Sequence, residues 1–410
     1  MACVSSRRGE GPGTHMTDAR RIAVVTSSRA DWGHVHWPLH ELRERAAAEG
    51  GEVRLIVMGA HLSTEFGESV NEIEKAGFTV DERIECLLSS DSDVGMAKTI
   101  GLATLGLAEV LSRMRPDLLL VIADRYEMLA PASVACALRI PIAHIEGGEV
   151  SEGAIDHVVR NALTMMSHIH LVPTELAANR VEAMGEEPWR IHRTGAPSLD
   201  HLKRSTLPTR DELQRTLGIT LGDGFLIVVH HPVTVEQETA REAHAVFEAL
   251  AVTDRQLIMC YPNADAGGRE IAGRARALCE THHDAHLFVN LEHLSYWALL
   301  RECQTSGGGG GAMVGNSSSG IMEAPSLELP VVNIGHRQDG RERARNIIDC
   351  PADASDISSA IERACSLEFK ESILGMTSPY GDGTAGVKIA EVLFGCPLGG
   401  ALLVKKGMEV

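Results

Sequence analysis

Apolar and polar positions alternate along this chain in a strand-then-helix rhythm. Short β-branched runs at residues 21–26 (RIAVVT), 53–58, 118–123, 142–145 and 169–172 read as strands, and amphipathic stretches at 35–48, 94–113, 128–138 and 155–167 read as helices. Strands apolar along their length and separated by helices predict a parallel, doubly wound sheet. The rhythm pauses at residues 194–210 (TGAPSLDHLKRSTLPTR), where Pro, Gly and Ser collect as in an interdomain linker. It then resumes with strand-like runs at 225–229, 256–260, 286–289, 312–314 and 331–334.

The fold class that follows is α/β, with two Rossmann-like domains and a cleft between them. The expected division is a disordered tail at 1–20, an N-terminal domain at 21–198, a second domain at 199–380, a C-terminal helix at 381–396 and a tail at 397–410. The run of five glycines at 307–311 reads as a flexible surface loop. Gly307, Gly309 and Ala312 formally fit a dinucleotide fingerprint, but they follow a helical stretch where that motif requires a strand.

At 410 residues the chain is long enough for two cores. A net charge of -18 argues against a general nucleic-acid binder, while leaving room for a local arginine cluster on a phosphate. Nine scattered cysteines without a C-x-x-C pair suit a reduced, cytoplasmic protein. No apolar run is expected to approach the roughly 20 residues that span a bilayer, and no signal peptide is expected.

The candidate chemistry sits at strand ends, which face the ligand crevice of an open parallel sheet. Asp124 and Glu146 each follow an apolar run, Asp156 opens the next helix, and Arg125 and His144 lie beside the first two. Convergent carboxylates suit proton transfer. Asp124 with Arg125 reads equally as a strand-end ion pair. GNSSSG at 315–320 follows a strand and opens a helix, so its backbone N–H groups and Ser317, Ser318 and Ser319 hydroxyls suit phosphate oxygens. They also suit simple capping. Glu323 is placed for ribose hydroxyls, and Arg337, Arg341, Arg343 and Arg345 follow the next strand, where one or two could neutralise a diphosphate. His230 and His231 end a strand before Pro232. The H-x-H pairs His34/His36 and His168/His170 put two rings on one side of a strand, without the further ligands that a metal requires. Glu149 and Glu152 read as a solvated loop beside the cleft, and Asp200 and Asp211 as surface charges.

SSRADW (27–32), MGAHL (58–62), ADRYE (123–127), HIEGGEVSEGAIDHVVR (144–160), HHPVT (230–234), YPNADAG (261–267), GNSSSGIMEAP (315–325) and GHRQDGRE (335–342) together resemble the UDP-N-acetylglucosamine 2-epimerase family over residues 21–395. HIEGGE resembles the hydrolysing branch, which opens sialic-acid and related nonulosonate pathways; the non-hydrolysing epimerases typically carry an EAG-type version. The resemblance implies a GT-B architecture, UDP held mainly by the second domain, a homodimer or homotetramer, and neither metal nor nicotinamide. It implies that UDP-N-acetylglucosamine and water are converted through a glycal to free N-acetylmannosamine and UDP, with a diacetamido relative such as UDP-diacetylbacillosamine as the alternative substrate. Position by position, it implies Asp124, Glu146 and Asp156 as acid/base carboxylates, His231 near the departing phosphate, and Arg125 and Arg160 as polar supports. It implies Arg29, His144, Asn263, Asn316, Ser317, Ser318, Glu323, Arg337 and Arg341 around UDP and substrate. A GT-B glycosyltransferase and a non-catalytic nucleotide-sugar sensor remain as other readings of the same sequence.

Overall fold

The computed structural model describes residues 19–88, 90–236, 238, 240–305 and 310–406. Its first sheet contains β1 (Arg21–Thr26), β2 (Glu52–Met58), β3 (Glu82–Ile84), β4 (Leu118–Ile122), β5 (Ile142–Ile145), β6 (Ile169–Val172) and β7 (Ile191–Arg193). These pair in parallel in the order β3-β2-β1-β4-β5-β6-β7. The second sheet contains β8 (Leu226–Val229), β9 (Leu257–Cys260), β10 (Ala285–Phe288), β11 (Ala312–Gly315), β12 (Val331–Ile334) and β13 (Ile347–Cys350). It too is parallel, in the order β10-β9-β8-β11-β12-β13. The chain therefore holds two Rossmann-like units. Strand order reverses between β1 and β4 in the first and between β8 and β11 in the second, and such reversals open a crevice at the strand C-termini.

Helices cover both faces of each sheet, which is why a central strand such as β4 (LLLVI) is buried at every position. Gly315, at the end of β11, is demanded by packing: with φ +140, a Cβ there would stand 2.0 Å from the Val229 carbonyl oxygen of β8.

Several features differ from the expectations of sequence. The segment at 194–210, which joins the two sheets, is itself folded. It folds into a 3-10 turn (Pro197–Leu199) and a short helix (Asp200–Arg204), and Asp200, expected on the surface, is fully buried. Its two carboxylate oxygens accept the Ala385 and Gly386 N–H groups at 2.8 and 2.7 Å, capping the helix Ala385–Gly395. That C-terminal helix crosses back to the first unit, where Ile389 and Leu393 join the core beside Leu39 and Leu42 of the helix Arg29–Glu49. Of the tail expected at 397–410, the residues to 406 are described and pack against the first unit. Leu402 is buried, and Arg190 donates to the carbonyls of Leu402 (2.9 Å) and Val404 (2.7 Å). Most of the tail expected at 1–20 and residues 307–309 of the glycine run lie outside the described residues.

The helix Asp93–Met114 is, against expectation, long and apolar enough to cross a membrane by length and composition. In the fold it packs Ala103, Leu107 and Leu111 into the first core.

Candidate active site

The site begins where β1 ends. Ser28 caps the helix Arg29–Glu49, and the Asp31 carboxylate returns to accept from Ser27 N (2.9 Å), Ser27 Oγ (2.7 Å) and Ser28 N (3.1 Å). This capping box sets the helix entry. It places Arg29 on the first turn and His34 on the second, both facing the cleft. At the end of β4, Ala123 takes φ +48, and its carbonyl accepts from His144 Nε2 at 2.7 Å. The turn delivers Asp124. At the end of β5, Glu146 takes φ +64 while its N–H donates to Leu171 O at 2.8 Å. Left-handed backbone at two non-glycine strand ends is strain held where the carboxylates emerge. Asp156 is the first residue of the helix Asp156–Met166.

The three carboxylates sit in different electrostatic settings. Asp124 bonds to the buried Arg160, with Arg341 Nη2 at 3.7 Å. Burial opposes its ionisation, but the charges of Arg160, Arg341 and Arg337 prevail and hold the carboxyl below its ordinary range. Asp156 is pushed up to about 7 by burial and by the neighbouring Asp124, against the pull of Arg337, whose Nη2 is 3.9 Å away. Glu146 Oε1 is 2.6 Å from His34 Nδ1. Burial works against the charge of that imidazole, yet Glu146, Glu323 and Asp31 raise it to about 9.

Arg125 does not pair with Asp124. Its guanidinium bonds Glu127 at 3.0 and 3.1 Å and reaches Asp265 of the second unit at 3.3 Å. The strand-end ion pair with Asp124, open from sequence, is thereby replaced by an interdomain one.

From the second unit, β8 ends at His230 and His231. Asn316, just beyond β11, brackets His231 by accepting from its N–H (2.7 Å) and donating to its carbonyl (2.9 Å). The Asn263 N–H donates to His231 Nδ1 at 3.2 Å, which leaves the ring proton on Nε2. Burial and the nearby Arg337 push this imidazole well below its ordinary value, so it is a neutral donor. The Asn316 carbonyl accepts from Arg337 Nη1 (3.2 Å) and Gln338 Nε2 (2.9 Å), tying the loop after β12 to the serine segment. Ser317 caps the short helix Ser318–Met322, and Glu323 follows it.

A single cavity between the units brings together Arg29, Asp124, Arg125, Glu146, Asp156, His231, Asn263, Ser317, Ser318, Glu323, Arg337 and Arg341. Three residues expected there do not line it. Arg160 stands behind Asp124, held by Glu149 O (3.0 Å) and Ser151 Oγ (3.1 Å). His144 is buried under the Ala123 turn, and Asn316 is buried among the loops that it joins. Arg29 is partly committed across the cleft, donating to Val289 O (3.1 Å) and Asn290 Oδ1 (2.8 Å). Glu149, expected on a solvated loop, is buried 3.9 Å from Arg341. His34 and His36 lie on a helix, not a strand. Their rings diverge, His34 to Glu146 and His36 to Trp32 and Phe78.

Sequence reasoning missed His34, Asp31, Glu127 and Asp265 as members of this arrangement. The Ser28-x-x-Asp31 spacing was the available signal, because it starts the helix six residues before the expected position 35 and so turns His34 inward. Phe288, Leu291 and Tyr296 add apolar surface to the cavity lining, with the Tyr296 hydroxyl 2.5 Å from Ser319 Oγ.

Two facing Rossmann-like units with their switch points on one cavity define a GT-B-like enzyme architecture. The family model of UDP-N-acetylglucosamine 2-epimerase matches residues 43–394, and the chain belongs to that family. It is 34% identical over 355 residues to the Campylobacter jejuni GDP/UDP-N,N'-diacetylbacillosamine 2-epimerase (hydrolyzing), covering 86% of this chain and 89% of that protein. It is 34% identical over 387 residues to the Legionella pneumophila UDP-N,N'-diacetylbacillosamine 2-epimerase (hydrolyzing), covering 94% and 98%. The fold matches the crystal structure of UDP-GlcNAc 2-epimerase from Neisseria meningitidis bound to UDP-GlcNAc with a TM-score of 0.74 at 18% identity, covering 91% of this chain and 99% of that one.

Proposed function

We propose that this chain is a hydrolysing 2-epimerase whose substrate is UDP-N,N'-diacetylbacillosamine, with UDP-N-acetylglucosamine as the second reading. The observation that carries the chemistry is the single cavity in which the acids Asp124, Glu146 and Asp156 face Ser317, Ser318, His231, Arg337 and Arg341. The names of the two relatives at 34% identity favour the diacetamido sugar; the description of the family favours the glucosamine.

In the proposed reaction a carboxylate takes the C2 proton while the anomeric C1–O bond breaks, its electron pair leaving on the β-phosphate of UDP. The C2 carbanion pair becomes the C1=C2 bond of a glycal. Water then adds across it, with hydroxide at C1 and a proton at C2 from the opposite face, so UDP-sugar and water become the free 2-epimer and UDP. Asp124 and Glu146 serve the proton transfers at C2. Asp156, with its carboxyl near 7, suits a group that exchanges a proton at neutral pH, in the same steps or in activating water. Arg337 and Arg341, with the Nε2–H of His231, meet the charge that develops on the departing diphosphate. Ser317 and Ser318 donate to its oxygens and Glu323 accepts from the ribose.

The test is an NMR time course in deuterated water with each nucleotide sugar and no acceptor. Deuterium at C2 of a released free sugar, together with UDP, is expected, and the faster substrate identifies the sugar. Product formation only when an acceptor sugar is supplied would mean a glycosyltransferase instead.

A further inference from the structure

We propose that His34 is a positioning residue that links the nucleotide half of the cleft to the sugar half by holding Glu146 through Nδ1 and addressing Glu323 through Nε2. The proposal rests on the preceding reading of Glu146 as a proton-transfer group and Glu323 as a ribose ligand.

The geometry is specific. Nδ1 is 2.6 Å from Glu146 Oε1 in the first unit, and Nε2 is 3.9 Å from Glu323 Oε1 in the second. The ring therefore stands between two carboxylates from opposite sides of the cavity, each with less than a tenth of its side chain exposed. Other ionisable groups face it as well: Asp31 from its own helix, and His293 and His201 packed against that helix. Both of these histidines are held neutral by burial, and the leading charges on the ring are those of Glu146, Glu323 and Asp31. An imidazolium in this setting holds the Glu146 carboxylate by a charge-assisted hydrogen bond and fixes its aim. When a ribose occupies Glu323, that acid turns to the sugar hydroxyls and His34 keeps Glu146 as its hydrogen-bonded partner. Nucleotide occupancy would thereby tighten the pair that works at C2.

The experiment follows the ring signals of His34 by NMR across pH in the full-length protein, assigned by their absence in His34→Asn. In the wild type the midpoint is expected well above that of a free imidazole, and Glu146→Gln is expected to lower it by a unit or more. Kinetics supply the second readout. His34→Ala is expected to lose at least tenfold in kcat with KM within about threefold. Its alkaline limb should flatten near pH 9, because the imidazolium whose deprotonation breaks the pair is gone. His34→Asn, whose amide nitrogen overlays Nδ1, is expected to recover part of kcat while keeping the flattened alkaline limb. A His34 midpoint unmoved by Glu146→Gln, or a His34→Ala enzyme with an unchanged alkaline limb, would overturn the proposal. A wild type that releases no UDP from either nucleotide sugar sinks the epimerase reading separately, and the NMR titration still decides the pairing.

Discussion

Arg125 and Asp265 form an ion pair across the cleft, 3.3 Å between Nη2 and Oδ1, with Arg125 also bound to Glu127 beneath it. Both carboxylates are nearly or fully buried, and so is the guanidinium. A charge in this position persists only because its partners are fixed, and one of them belongs to the other unit.

Removing the fully buried member therefore separates stability from closure. Glu127→Ala leaves a guanidinium underground with a single partner that the cleft can withdraw, and is expected to cost about 3–5 kcal/mol. Asp265→Asn keeps the Glu127 pair and is expected to unfold close to wild type while raising KM. Urea denaturation of the two variants, beside steady-state kinetics, decides the point. An unchanged midpoint for Glu127→Ala would show that the pair contributes nothing.

Gly153 reports on closure by a different route. A Cβ at this position would stand 2.5 Å from the Arg337 Cα and 2.8 Å from both the Arg337 N and the His336 O. These are main-chain atoms of the second unit, so no side chain can turn away to make room. Gly153→Ala is expected to hold the units apart near Asp156 and Arg337, raising KM at least tenfold while the thermal midpoint stays within about 2 °C. Wild-type KM would mean that the loops separate during turnover.

How much of this arrangement the sequence disclosed follows from burial. β4, β5, β8 and β11 were legible because helices cover both their faces and every position but His144 of β5 is apolar or small. The strands β3 (ERI), β7 (IHR) and β13 (IIDC) were missed because three or four residues, most of them partly exposed and with charges among them, carry no periodic signal. Asp124, Glu146 and Asp156 were legible because each follows a readable strand or opens a readable helix. Arg125–Asp265, His34–Glu146 and the return of the Ala385–Gly395 helix to the first core were not, because partners 140, 112 and some hundreds of residues apart leave no local trace.

His231 depends on Asn316, which bonds its backbone on both sides from 85 positions away. If the Nε2–H meets the leaving diphosphate, His231→Ala should lower kcat by about 10²–10³-fold, the usual loss for one oriented donor. Asn316→Ala should reproduce a large part of that loss, since it frees the same ring without touching the cavity wall. His231 is neutral through the working range, so neither variant should alter the position of the acid limb. Limbs that move with His231→Ala would make it an ionising group instead.

Asp156 gives the clearest pH signature. Its folded carboxyl titrates near 7, about three units above an unperturbed aspartate, because burial and Asp124 both oppose its charge. A raised carboxyl favours folding while it is protonated: the contribution is complete below about pH 4 and is lost as pH rises through 7. At pH 8 the wild type thus carries a buried, repelled carboxylate, and at pH 5 it does not. Asp156→Asn, neutral at both, should be stabilised relative to wild type at pH 8, on the order of 1 kcal/mol or more, and by much less at pH 5. Its turnover should fall at least 10²-fold at either pH if the proton on Asp156 is used in the reaction. Denaturation at the two pH values and kinetics on the same samples read both effects. A stability difference that is the same at pH 5 and pH 8 would place the Asp156 carboxyl in the ordinary range and remove it from the proton transfers near neutrality.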